Sequence, residues 1–149
     1  MSDNILKLIP SSPTYVPSED AIDKAYTMLT KSLTTIQNIK VTVSENTRFI
    51  DPGVNWERVV CPNCRTVIKP SWWEQAMDKA YESGFSNLAI ITPCCGVETS
   101  LNELQYEWPA GFARFSIEIL NLEFGITQSK LQELEIILDC SLKKIWAHY

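Results

Sequence analysis

Apolar positions along the chain recur with two spacings, every second residue in some stretches and every third or fourth in others. The run from Ile5 to Ile9 is mainly apolar and ends at Pro10, and Pro13 and Pro17 keep the next stretch extended, so a strand and a loop are predicted. Ser18 offers an N-cap, and Ile22, Ala25, Leu29, Leu33 and Ile36 place one apolar stripe on a helix from Glu19 to Gln37. Ile39, Val41 and Val43 then alternate with Lys40, Thr42 and Ser44, the period of a half-buried strand. A second short strand is expected at Arg48 to Ile50, before the turn residues Asp51-Pro52-Gly53. Trp56 to Val60 runs extended into a cysteine pair.

Further on, Ser71 and Glu74 have the spacing of a capping box and Gly84 supplies a stop, predicting a helix from Trp72 to Ser83. Leu88 to Ile91 reads as a strand leading into Thr92-Pro93-Cys94-Cys95-Gly96, so each cysteine motif follows a strand. Phe115, Ile117 and Ile119 alternate along another strand, Leu131, Leu134 and Leu138 mark a helix after Thr127, and Lys143 to Tyr149 closes as a strand. Two strand-helix-strand units around a central insertion predict an α+β fold of the ferredoxin-like sandwich kind. The expectation is a single domain over residues 1–149, with sandwich halves at 1–46 and 112–149 and a metal-binding insertion at 47–111.

Composition narrows the class. At 149 residues, 45% apolar and 21% charged, the chain has the makings of one folded domain with its own core. No apolar run approaches the roughly 20 residues that span a bilayer, and the opening MSDNILKLIPSSP lacks a basic region followed by a long apolar stretch. A cytoplasmic protein with no membrane partner is expected. The net charge of -5, spread from Asp3 to Asp139, argues against binding to phosphate backbones and favours a basic partner. Phosphate-loop, dinucleotide, nucleophile-elbow and H-E-x-x-H motifs are absent from the sequence, which lowers the expectation of an enzyme.

Five cysteines, an odd number in clusters, suit a metal or redox centre in a reducing compartment better than a disulfide framework. Cys140 stands apart and reads as a small buried hydrophobe. Cys61-Pro62-Asn63-Cys64 has the turn spacing that lets two thiolates reach one zinc ion. The second motif is irregular, because Thr92 stands where a regular C-P-x-C-G would begin, leaving Cys95 as the regular second ligand and Cys94 in the variable place. Either Cys61, Cys64, Cys94 and Cys95 all bind a structural zinc, or His148, the only histidine, replaces one of them. A dithiol redox centre is the rival reading, with Cys61 as the exposed nucleophile, but Arg65 to Pro70 is not a helix start that would stabilise its thiolate. A three-ligand site would leave a vacancy for chemistry, with Glu98 as a base.

The cysteine pairs resemble the knuckles of zinc ribbons and rubredoxins. Together with W-P-A-G-F-A-R-F and the terminal W-A-H-Y, they also resemble a family of small uncharacterised bacterial proteins over most of residues 47 to 149. That resemblance implies a zinc-ribbon-like domain in the bacterial cytoplasm and supplies no activity.

The stretch Tyr106 to Arg114 gathers aromatic residues, proline and glycine. It reads either as a rigid loop packed over the insertion or as a recognition loop with Trp108 and Phe112 as anchors and Arg114 meeting a carboxylate. The expected function is a zinc-stabilised, non-catalytic protein-binding module, immunity- or adaptor-like. Alternatives are a zinc-ribbon nucleic-acid binder using Arg58, Arg65, Lys69 and Trp72 or Trp73, and a metal- or dithiol-dependent enzyme.

Overall fold

The computed structural model of the protein describes residues 3–32, 38–120 and 126–149. In chain order the elements are β1 (Asn4–Pro10), α1 (Glu19–Ser32), β2 (Asn38–Ile50), β3 (Val59–Val60), α2 (Pro70–Glu82), β4 (Ala89–Ile91), β5 (Glu98–Ser100), β6 (Gln105–Tyr106), β7 (Gly111–Leu120), α3 (Gln128–Leu138) and β8 (Leu142–His148).

Four strands form an antiparallel sheet in the order β2-β7-β1-β8. Period-two alternation decides which side chains meet: Leu6 pairs in register with Ile119 and Trp146, and Leu8 with Ile117. These residues bury against Ala25 and Leu29 of α1 and Leu131, Leu134 and Leu138 of α3, forming one apolar core. The expected continuation of the first helix to Gln37, with Leu33 and Ile36, lies outside the described residues. Thr127 caps α3 as anticipated, its hydroxyl accepting from the Lys130 amide at 3.2 Å.

Two expectations about element boundaries are corrected. Val43 and Arg48 belong to one strand rather than two, because the register jumps between them while pairing with β7 resumes on the far side. Residues 44–47 form a bulge that satisfies its own polar groups: Ser44 Oγ donates to the Asn46 carbonyl at 2.6 Å and accepts from Arg48 Nε at 3.1 Å. The capping box on Ser71 does not form either. Pro70 takes the first helical turn, with φ fixed for it, so α2 starts earlier, from Lys69, with no side-chain cap. Its other end stops as anticipated at Gly84, with φ +66°, where the amides of Gly84 and Phe85 donate to the carbonyls of Tyr81 and Ala80.

Between β2 and β7 the chain builds the two small pairs β3–β6 and β4–β5 around α2. Ring contacts tie this region to the large sheet: Phe49 of β2 and Phe112 of β7 lie 5.2 Å apart by centroid, and Phe49 also meets Trp56, Trp73 and Tyr106. On leaving β2, the chain crosses to the opposite edge of the sheet. There the Val54 amide donates to the His148 carbonyl and the His148 amide to that of Pro52. Gly53 sits at this close approach with φ +63°, where a side chain would run into the His148 backbone.

Candidate metal centre

Each cysteine motif is a turn held by its own backbone. In the first, the Cys61 amide donates to the Thr66 carbonyl at 2.9 Å and the Arg65 amide to that of Cys61 at 3.1 Å. In the second, the Thr92 amide donates to the Val97 carbonyl at 3.0 Å and the Gly96 amide to that of Thr92 at 3.1 Å. The two turns therefore correspond residue for residue, down to positive φ at Arg65 (65°) and Gly96 (70°). On this correspondence Thr92 occupies the place of Cys61, Cys95 that of Cys64, and Cys94 that of Asn63.

The turns face one another, and the Sγ atoms of Cys61, Cys64, Cys94 and Cys95 all lie within 4.8 Å of one another. Cys64 and Cys94 approach to 3.3 Å and Cys61 and Cys95 to 3.8 Å, so the short contacts cross from one turn to the other. The correspondence explains how an irregular second motif can supply two thiolates. Asn63 reaches across to Cys95 Sγ at 3.4 Å, so its position aims at the opposite turn, and Cys94 in the equivalent position does the same. Thr92, 2% exposed, is a support: its hydroxyl accepts from the Val97 amide at 3.1 Å and lies 3.5 Å from Cys95 Sγ.

Four thiols this close cannot all ionise without a cation among them, and their acidities diverge accordingly. The Asn63 amide and the Thr92 hydroxyl draw Cys95 down to about 6. Cys94 is pushed up to about 11 by lost hydration and by the Cys64 and Cys61 thiols it faces. Contact with Thr66 lowers Cys64. A soft divalent cation is the group that can neutralise such a set, since thiolate donors select zinc or iron over magnesium or calcium.

His148 is not part of this cluster. It lies in β8 of the large sheet, with Nδ1 2.7 Å from Asn4 Oδ1. Cys61 is fully buried while Cys64, Cys94 and Cys95 are exposed, the reverse of the accessibility expected for Cys61 as a redox nucleophile. Cys140 is half-buried against the helical core, and burial raises its thiol to about 11. Glu98 is exposed on β5, opposite Ile91.

The three residues of the expected recognition loop are dispersed. Phe112 has no exposed surface and packs among rings, so it offers nothing to a partner. The half-buried Arg114 donates from Nε to the Ser44 carbonyl at 2.9 Å. Trp108 remains 43% exposed, at φ 60°, a backbone conformation unusual for a bulky residue. Two of the three basic residues near the first turn are also engaged, Arg58 with Glu107 at 2.7 Å and Arg65 with Gln105 at 2.8 Å, while the exposed Lys69 precedes α2. Trp73 sits 4.8 Å from Trp56 in the ring cluster.

The supporting role of Thr92 and the reach of Asn63 escape a ligand-by-ligand reading of the sequence. Aligning the two motifs on Pro62 and Pro93 is the signal that reveals them. No helix among the described residues is long and apolar enough to cross a membrane. Comparison with protein-family models, curated proteins and solved structures finds no match to the chain.

Proposed function

We propose that the chain is a zinc-stabilised, non-catalytic protein-binding module, immunity- or adaptor-like in character, in which the four thiolates hold a structural ion. The observation that carries this reading is the closed donor set. Four thiols from two facing turns lie within 4.8 Å of one another, the donor number of a tetrahedral zinc site, and if all four bind they leave no position for water or substrate. On this reading the large sheet with α1 and α3 is a ferredoxin-like sandwich, and the region between β2 and β7 is a zinc-ribbon-like insertion. The ion would add to the region's own core around Leu101, Tyr106 and Phe112 by fastening the two facing turns at its far end. The ion pair of Arg58 and the enclosure of Trp73 weigh against a nucleic-acid surface, because both groups already have partners.

Metal analysis of the chain purified from its host tests the reading. One zinc per chain is expected, lost in each of the variants Cys61→Ser, Cys64→Ser, Cys94→Ser and Cys95→Ser and retained in His148→Ala. Iron in place of zinc, or metal retained without Cys94, would overturn it. Recovery of the native protein as an isolated monomer under several growth conditions would count against the protein-binding part.

A further inference from the structure

We propose that the groove between α2 and the β4–β5 hairpin receives an extended basic peptide, which pairs as an added strand along β4; this rests on the protein-binding reading above and names its surface. The groove has a volume of about 870 Å³, with Trp72, Ala76 and Ala80 on the helix side and all three β4 residues on the other. Its size and mixed lining suit a bound chain segment.

The pairing pattern of the hairpin leaves β4 with an open edge. The Leu101 amide donates to the Leu88 carbonyl at 2.8 Å and the Thr92 amide to the Val97 carbonyl at 3.0 Å, so even-numbered positions of β4 turn their backbone groups toward β5. In an antiparallel ladder the alternate residues then turn theirs away. Asn87 Oδ1 takes the outward amide of Ala89 at 3.2 Å. The carbonyl of Ala89 and the amide and carbonyl of Ile91 have no partner among the described residues and remain as the edge of an unfinished sheet. Such an edge binds an extended chain by main-chain hydrogen bonds while pockets select alternate side chains. The Ile91 side chain, 61% exposed beside it, is an apolar contact awaiting a partner.

Charge selects the kind of segment. Glu82 on the helix wall and Glu98 on the hairpin wall outnumber Lys79, and the whole chain carries -5. Cys94 and Cys95 follow Ile91 closely, and four thiolates around one divalent ion leave two further negative charges there. A strand alternating apolar residues with Lys or Arg fits this groove, whereas a polyphosphate chain is repelled by it.

The test is a titration of the zinc-loaded, nitrogen-15-labelled full chain with acetyl-Lys-Val-Lys-Val-Lys-amide, followed by amide shifts, with a Glu-for-Lys analogue and a short single-stranded DNA as controls. The largest shifts are expected at Ile91 and along α2 from Trp72 to Ser83, with neither control binding there. Replacing both acids, Glu82→Lys with Glu98→Lys, should weaken the basic peptide roughly fivefold to tenfold at low salt. Equal binding of the acidic analogue, DNA binding in the groove, shifts confined to the four-stranded sheet or the Trp108 loop, or no shifts at all would overturn the proposal. Zinc content of the same sample separates the two readings: zinc-loaded protein that ignores the peptide overturns only the groove. A sample holding no zinc overturns the metal reading, and the same titration still reads the groove.

Discussion

Thr92 and Cys94 can be understood only as a pair. The second turn has lost the cysteine expected at its first position and gained one at the position that points across the site, so the thiolate count is kept while its geometry changes. Exchanging the two should therefore restore a regular motif: Cys94→Ser alone should abolish stoichiometric zinc, and Thr92→Cys with Cys94→Asn should recover it, as read by metal analysis. Thr92→Val should keep the stoichiometry but weaken zinc about tenfold in competition with a chelator, since the hydroxyl beside Cys95 is lost. A second polar cluster centres on the buried Lys7, whose Nζ donates to the Asp51 carboxylate at 3.3 Å and to the Tyr149 hydroxyl at 2.7 Å. Partial burial raises Asp51, but bonds from Tyr149 and the Gly53 amide, with the charge of Lys7, outweigh it and hold the carboxyl below its ordinary 3.8. A carboxyl lowered by folding stabilises the protein above its unfolded value, and that stability disappears as pH falls through the folded value. Asp51→Asn should lower the melting temperature by about 4–8 °C at neutral pH, through a Lys7 ammonium left without its anion, and the difference should shrink as pH drops below about 4 in thermal scans.

Individual elements were legible wherever an apolar period was long. The strands centred on Ile117 and Ile145 and the helices on Ala25 and Leu134 follow their two- and three-to-four-residue spacings, because one face of each meets a core, whereas the run from Ile5 to Ile9 was legible by its apolar content and its end at Pro10 and is buried on both faces. Boundaries were legible where the terminating chemistry had no competitor, as at Thr127 and Gly84. They were misread where two start signals compete: Pro70 precedes Ser71, and its fixed φ begins the helix before serine can cap it. In consequence the N-cap of α2 is Lys69, a residue that neither accepts an amide hydrogen bond nor suits the positive end of a helix dipole. Lys69→Ser should supply the missing acceptor and stabilise the protein by about 0.5–1 kcal/mol, read as a higher urea midpoint with an unchanged slope. The bulge at residues 44–47 was illegible for a different reason. A break in alternation looks the same whether a strand ends or pairs again beyond it, and only β7 decides between them.

At the scale of the molecule, the order β2-β7-β1-β8 follows from pairings between distant segments that no local period encodes, whereas the cysteine cluster was legible because its chemistry is written in spacing. Three bodies of buried residues result: one between the sheet and helices α1 and α3, one around Leu101, Tyr106 and Phe112, and a small one of Ile9, Ile50, Ala113 and Ile145. Phe49 of β2 and Phe112 of β7 belong to the second body, so the region between β2 and β7 joins the large sheet through rings at one end and gathers the four cysteines at the other. Removing the metal should affect these ends unequally. Without a cation the thiolates repel or take up protons, and the facing turns lose what fastens them, while the rings lose nothing. Hydrogen exchange after chelation should therefore speed up at Cys61 to Ile68 and Thr92 to Val97 and leave β1 and β7 protected. Phe112→Ala opens the other end and should cost about 3–5 kcal/mol through the cavity it leaves. If the two ends hold one cooperative region, the chelated Phe112→Ala protein should lose protection throughout α2 as well, more than the two changes separately would give. Exchange in α2 equal to the separate effects would mean that the ion and the rings support independent parts of the chain.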